Sequence, residues 1–182
     1  MVTMDFIMSV VENYLMYNAN RVMFNWAANG GWERWFQGEL SWMFSKSIPV
    51  VENEVKPDTL IDVETSQRVD ISLIDYDNSI AYIELKCFSF IQITNENIEH
   101  FYQSVINDWK KLWYMEHKKY SLVMIPNDVN GVGKRLQERL KNVAESNYIH
   151  ILIKLCNSNY CDKYMYVCLF EISNQNINIL NL

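Results

Sequence analysis

Two apolar runs that each carry charge constrain this chain most. They are RVDISLID (residues 68–75) and SIAYIELKCF (79–88), separated by Tyr76-Asp77-Asn78. Both runs are rich in strand-forming residues, and a short break holding Asp and Asn is turn chemistry, so the pair reads as an antiparallel hairpin. Side chains alternate faces along a strand. Val69, Ile71 and Leu73 therefore fall on one face, and Asp70, Ser72 and Ile74 on the other. On the partner, Ala81, Ile83, Leu85 and Cys87 share a face, while Tyr82, Glu84 and Lys86 share the opposite one. A three-residue turn at 76–78 sets Asp70 opposite Glu84 and Arg68 opposite Lys86. A two-residue turn would put the two acids on different faces. The three-residue form is the expectation.

The remaining pattern surrounds this hairpin with helices and more strands. Phe6, Ile7, Val10, Val11, Tyr14 and Leu15 recur at helical spacing over 4–17, with Thr3 as the N-cap. A second short helix is expected over 20–28, closed by Gly30, and a third over 32–45, ended by Pro49. Residues 49–55 read as a strand and 56–67 as a loop. Helices follow at 95–115 and 132–145, and strands at 119–126, 148–156 and 163–172. The expected fold class is α/β, with a mixed sheet flanked by helices.

Composition narrows the class. At 182 residues and 49% hydrophobic, the chain suits one domain with a sizeable core. No apolar run approaches the roughly 18–20 residues that span a bilayer. The first residues lack a basic stretch and carry Asp5 and Glu12, so they are not read as a signal peptide. A cytoplasmic protein is expected, with no membrane partner. Cys87, Cys156, Cys161 and Cys168 read as free thiols of a reducing compartment, because the 156/161 pair has no second pair or His nearby for zinc. The net charge of −6 argues against a strong nucleic-acid footprint. The charge is uneven, however. Residues 110–141 hold eight basic and three acidic side chains, among them Lys111, Lys134 and Arg135.

The hairpin also carries the chemistry. Directly opposed residues have Cβ atoms about 4.5–5.5 Å apart. Two carboxylates that close repel unless a cation neutralises them. Mg²⁺ suits such a pair, since it takes one or two carboxylates and fills its shell with water and phosphate oxygens. Lys86, two residues along the same face, would stand beside a metal-bound water and balance charge at a phosphate. Glu-x-Lys occurs three times, at 54–56, 84–86 and 116–118. Only the second lies within an apolar strand run with an acid-bearing strand before it, where charge is costly unless paired or metal-bound.

With Val69-Asp70 followed by Ile83-Glu84-Leu85-Lys86, the chain resembles the PD-(D/E)XK nuclease superfamily, with Val in place of Pro. The likeness covers about residues 32–126, with 1–30 as a helical addition within a single domain of 1–182. It implies a restriction-endonuclease-like core and Mg²⁺- or Mn²⁺-dependent phosphodiester hydrolysis. DNA is the expected substrate, in phage defence or on a mobile element. It implies Asp70 and Glu84 as metal ligands and Lys86 as the catalytic lysine. It also implies a Glu on the preceding helix, for which Glu39 is the expectation and Glu33 the alternative. The helix after the Glu-x-Lys strand often adds a polar group; Gln103, Asp108 and Lys111 are the candidates. Lys134 and Arg135, in the Asn-Gly-Val-Gly-Lys-Arg stretch opening the later helix, are further candidates for substrate binding. A homodimer or a targeting partner would supply recognition. The competing readings are a catalytically silent nuclease-fold binding or regulatory protein, and an inhibitor or immunity protein that docks on another enzyme. His100, His117 and His150 are too scattered for a Ser-His-Asp or Cys-His set, and the tryptophans at helical spacing read as core.

Overall fold

The structure, a computed structural model, describes residues 1–26, 32–55, 68–89, 95–127, 131–144, 148–155 and 164–173. The expected loop at 56–67, Cys156 and Cys161 lie outside the described residues. In chain order the elements are α1 (Met4–Trp26), α2 (Trp32–Phe44), β1 (Val50–Val55), β2 (Val69–Ile74), β3 (Ile80–Cys87) and α3 (Asn95–Trp113). They continue with β4 (Lys118–Asn127), α4 (Val132–Ala144), β5 (Tyr148–Lys154) and β6 (Tyr164–Glu171). The two helices expected before residue 28 are the two halves of α1, which is kinked between them. Asn18 leaves helical geometry (φ −121°, ψ 21°) and its side-chain amide bonds back to the Tyr14 carbonyl at 2.9 Å.

The fold is mixed α/β. Six strands form one sheet in the order β1-β2-β3-β4-β6-β5. Among the described strands only β3 and β4 run parallel, and α3 makes the crossover between them, as a parallel pair requires. Each sheet face carries a helical layer. Ile7, Val11, Leu15 and Trp26 of α1 pack with Phe36 and Leu40 of α2 over Ile71, Leu73, Ile83 and Leu85. On the other face Val105, Trp109 and Leu112 of α3 pack with Leu136 and Leu140 of α4 over Tyr82, Val123 and Phe170. Four helices thus cover both sides, and α1 is buried into the first layer rather than lying outside it. Gly133 opens α4 because of packing: a methyl there would run into the Pro126 carbonyl oxygen at the end of β4.

The hairpin register is the expected one. Ile71 pairs with Ile83, Ser72 with Tyr82, Leu73 with Ala81 and Ile74 with Ile80. Asp75 N–H bonds to Ser79 O, and Asn78 takes φ +59°, a left-handed turn position that Asn tolerates. The alternation departs from expectation at one end. Val69 packs with Tyr82 in the α3–α4 layer, not with Ile71 and Leu73. The ladder's last pair is Ile71–Ile83, and past it β2 is free to rotate away from β3. Arg68 accordingly does not face Lys86; its guanidinium donates to the Glu54 carbonyl at 2.9 Å.

Candidate functional site

The opening between β2 and β3 gathers charge. Just past the ladder's last pair, Asp70 Oδ2 accepts the N–H of Leu85 at 2.7 Å, which brings its carboxylate close enough to act on Glu84. A side chain has taken over a main-chain acceptor's place there. Gln37 on α2 holds the Asp70 carbonyl from the other side at 2.6 Å. Glu84 is only 4% exposed. Four residues earlier on the same helix as Gln37, Glu33 reaches the end of β3, where its Oε2 accepts the Cys87 N–H at 2.8 Å. From the opposite layer, α3 contributes Asp108 and Lys111. Lys86 Nζ lies 3.3 Å from Asp108 Oδ2 and 3.9 Å from Glu33 Oε1. Lys111 Nζ contacts Glu84 Oε1 and donates to the Arg68 carbonyl at 2.7 Å.

Four carboxylates therefore share this recess with two ammonium groups. The surplus is visible in the proton affinities. Burial raises the Glu84 carboxyl to about 8, with the charge of Asp70 adding to the rise and Lys111 opposing it. Burial also raises Asp70, against the pull of the Leu85 N–H and Lys111, and it raises Glu33 against Lys86. Burial works against the Lys86 ammonium, but Asp108 and Glu33 outweigh it and hold its pKa above the usual lysine value.

A divalent cation would fit this donor set in kind: the groups are hard oxygens, and they outnumber their internal cations. Among the described residues, however, no three His, Cys, Asp or Glu side chains are gathered closely enough to hold a metal ion as they stand. Any such ion would rest on two carboxylates, with water or phosphate oxygens completing its shell, which is ordinary for Mg²⁺.

Glu39, expected with Asp70 and Glu84, lies elsewhere. It accepts from the Tyr14 hydroxyl at 2.9 Å and pairs with Arg21 at 2.6 Å, at the contact between α1 and α2. Six residues along a helix of 3.6 per turn turn Glu39 well away from Glu33. Glu33, Gln37 and Ser41 recur at spacing four, and the latter two are buried, so this polar stripe marks the sheet-facing side of α2. That stripe was the available signal for Glu33. Of the residues expected to meet substrate, Asp108 and Lys111 join the cluster. Gln103 bonds to Glu99 at 3.0 Å on the exposed side of α3, and Lys134 pairs with Glu138 at 3.9 Å within α4. Arg135 is exposed on α4, lining a small hollow of about 190 Å³ with Asn95, Ile98 and Arg139.

The basic residues of 110–141 do not form one patch. Lys119 is buried and donates to the Trp113 carbonyl at the end of α3 and to the Met115 carbonyl just beyond it, and Lys118 reaches the Val2 carbonyl. Arg139 makes a two-pronged pair with Glu99 while lying 3.5 Å over the Tyr102 ring. Trp26, Trp32 and Trp109 are core, whereas Trp42 is exposed with Lys46 over its ring. A hollow of about 530 Å³ lies along residues 16–21 and Lys154–Leu155, apart from the acidic cluster. Among the described residues no helix is long and apolar enough to cross a membrane.

No family model and no solved structure matches the chain. Among curated proteins, the chain is similar to the transcriptional regulatory protein LevR of Bacillus subtilis (strain 168), 30% identical over 133 aligned residues. The match takes in 67% of this chain and 13% of LevR, so the chain spans a small part of that relative's length.

Proposed function

We propose that the chain is a Mg²⁺- or Mn²⁺-dependent nuclease of PD-(D/E)XK type that hydrolyses phosphodiester bonds, with DNA as its substrate. The observation that carries this reading is Asp70 held on the Leu85 N–H next to buried Glu84, with Lys86 in the same recess. Asp70 and Glu84 would hold the metal, which when bound acidifies water and offsets phosphate charge. Lys86 faces two carboxylates and stays an ammonium, so its role is to steady negative charge growing on the phosphate rather than to remove a proton. Asp108 and Glu33 act through Lys86 by aiming it. Gln37 and the Leu85 N–H fix Asp70 from both sides.

The second reading is a catalytically silent nuclease-fold protein that binds or regulates. One contact favours it: the Lys111 ammonium lies on Glu84, already giving that carboxylate a cation. Likeness to 13% of a transcriptional regulatory protein weighs for neither. A cytoplasmic setting and a homodimer or targeting partner belong to the first reading.

Incubating the purified chain with plasmid and single-stranded DNA separates the two. The nuclease reading expects cutting with Mg²⁺ or Mn²⁺, none with EDTA, and none by Lys86→Ala. Absence of cutting with every metal, or equal cutting by the variant, would sink it.

A further inference from the structure

Lys111 enters the acidic recess from α3, one turn beyond Asp108, and its side chain is only 12% exposed. Its ammonium touches Glu84 Oε1, an atom fully buried from solvent, and among the described residues no other donor reaches that oxygen. The same nitrogen donates to the Arg68 carbonyl, at the mouth of the gap between β2 and β3. The other ammonium of the recess, Lys86, is turned to Asp108 and Glu33. Lys111 is thus the cation assigned to Glu84.

We propose that Lys111 is an internal counter-cation that a divalent ion must displace, so that loading Asp70 and Glu84 with metal releases the Lys111 ammonium from Glu84. This rests on the metal-dependent reading above and adds its control. One ammonium cancels one charge of the Asp70–Glu84 pair; a divalent ion cancels both, and an ammonium already held on that buried carboxylate repels it. Lysine's four-carbon stem lets the head swing while α3 stays packed on Trp109 and Leu112. The Arg68 carbonyl offers the released head a place at the mouth, where an entering phosphate would meet it. One buried carboxylate thereby keeps a counter-cation when the site is empty, and the site gains a free ammonium when filled.

Calorimetric titration with Mn²⁺ alone tests this on the parent, Lys111→Met and Lys111→Arg. Lys111→Met removes the competing charge and should bind Mn²⁺ about tenfold tighter or more; Lys111→Arg should bind no tighter than the parent. Equal or weaker binding by a cooperatively melting Lys111→Met overturns the role of Lys111 and leaves the metal-dependent reading standing. No Mn²⁺ binding by parent or variants overturns that reading and the inference with it. Should Lys111→Met fail to fold, acetic anhydride labelling of the parent decides. Acetylation of Lys111, measured by mass spectrometry against the exposed Lys134, should rise when Mg²⁺ is added at a concentration that saturates the site. Unchanged labelling overturns the displacement.

Discussion

Helix α2 carries an acid into each of two polar clusters, and the two differ in balance. On one side Glu39 meets one guanidinium, Arg21, and one hydroxyl, Tyr14, with Arg21 also 5.3 Å over the Trp35 ring. Each group there has its complement, and the cluster ties α1 to α2. On the other side Glu33 joins Asp70, Glu84 and Asp108 against Lys86 and Lys111 alone. That recess holds more buried negative charge than it neutralises, and Glu84 is driven up to about 8 as a result. An acid near a helix–sheet contact is therefore no mark of a site. An uncompensated set is, because burying it costs folding free energy that something outside the fold must recover.

Substitutions on the two sides should separate accordingly. The largest effect belongs to Lys86→Ala, expected to lower metal-dependent DNA cleavage by about 10²–10³-fold, with a lower melting temperature as well because Glu33 and Asp108 lose their cation. A loss of under about threefold would remove Lys86 from the chemistry. Next comes Glu84→Gln, read by thermal melting against pH. A carboxyl raised in the folded state gives its full stabilisation below its free value of 4.5 and loses it as pH climbs through about 8. Glu84→Gln has no such loss, so above pH 8 it should be the more stable by on the order of 5 kcal/mol. The advantage should vanish toward about pH 5, and saturating Mg²⁺ should shrink it by stabilising the parent alone. A pH-independent difference would contradict the surplus. The smallest effect is on the balanced side. Tyr14→Phe should cost about 1 kcal/mol in chemical denaturation, and cleavage should stay within about twofold of the parent, since ΔΔG there does not touch the recess. Equal damage to cleavage would tie the two clusters together.

The hairpin was legible because charge inside alternating apolar runs leaves few registers, and the three-residue turn with Asn78 selects one. Asp70, Glu84 and Lys86 followed from that register. Glu33 over Glu39 was harder: both are polar positions on an aromatic-rich helix, and the choice depends on which side of α2 meets the sheet. The buried Gln37 and Ser41 settle it through contacts with Asp70 and Asn53, which lie 33 and 12 residues away along the chain. The departure of Val69 was not legible either, since it follows from where β2 stops pairing with β3. Nor could a charge count over 110–141 reveal that Lys119 is buried beneath α3 while Lys111 faces Glu84.

Anomalous diffraction from crystals soaked in Mn²⁺ tests the central claim most directly. The expected result is a peak against the Asp70 and Glu84 carboxylates, with the Lys111 ammonium moved off Glu84. A map with no peak there, and with Lys111 still on Glu84 at saturating Mn²⁺, would contradict a metal-dependent site in this recess.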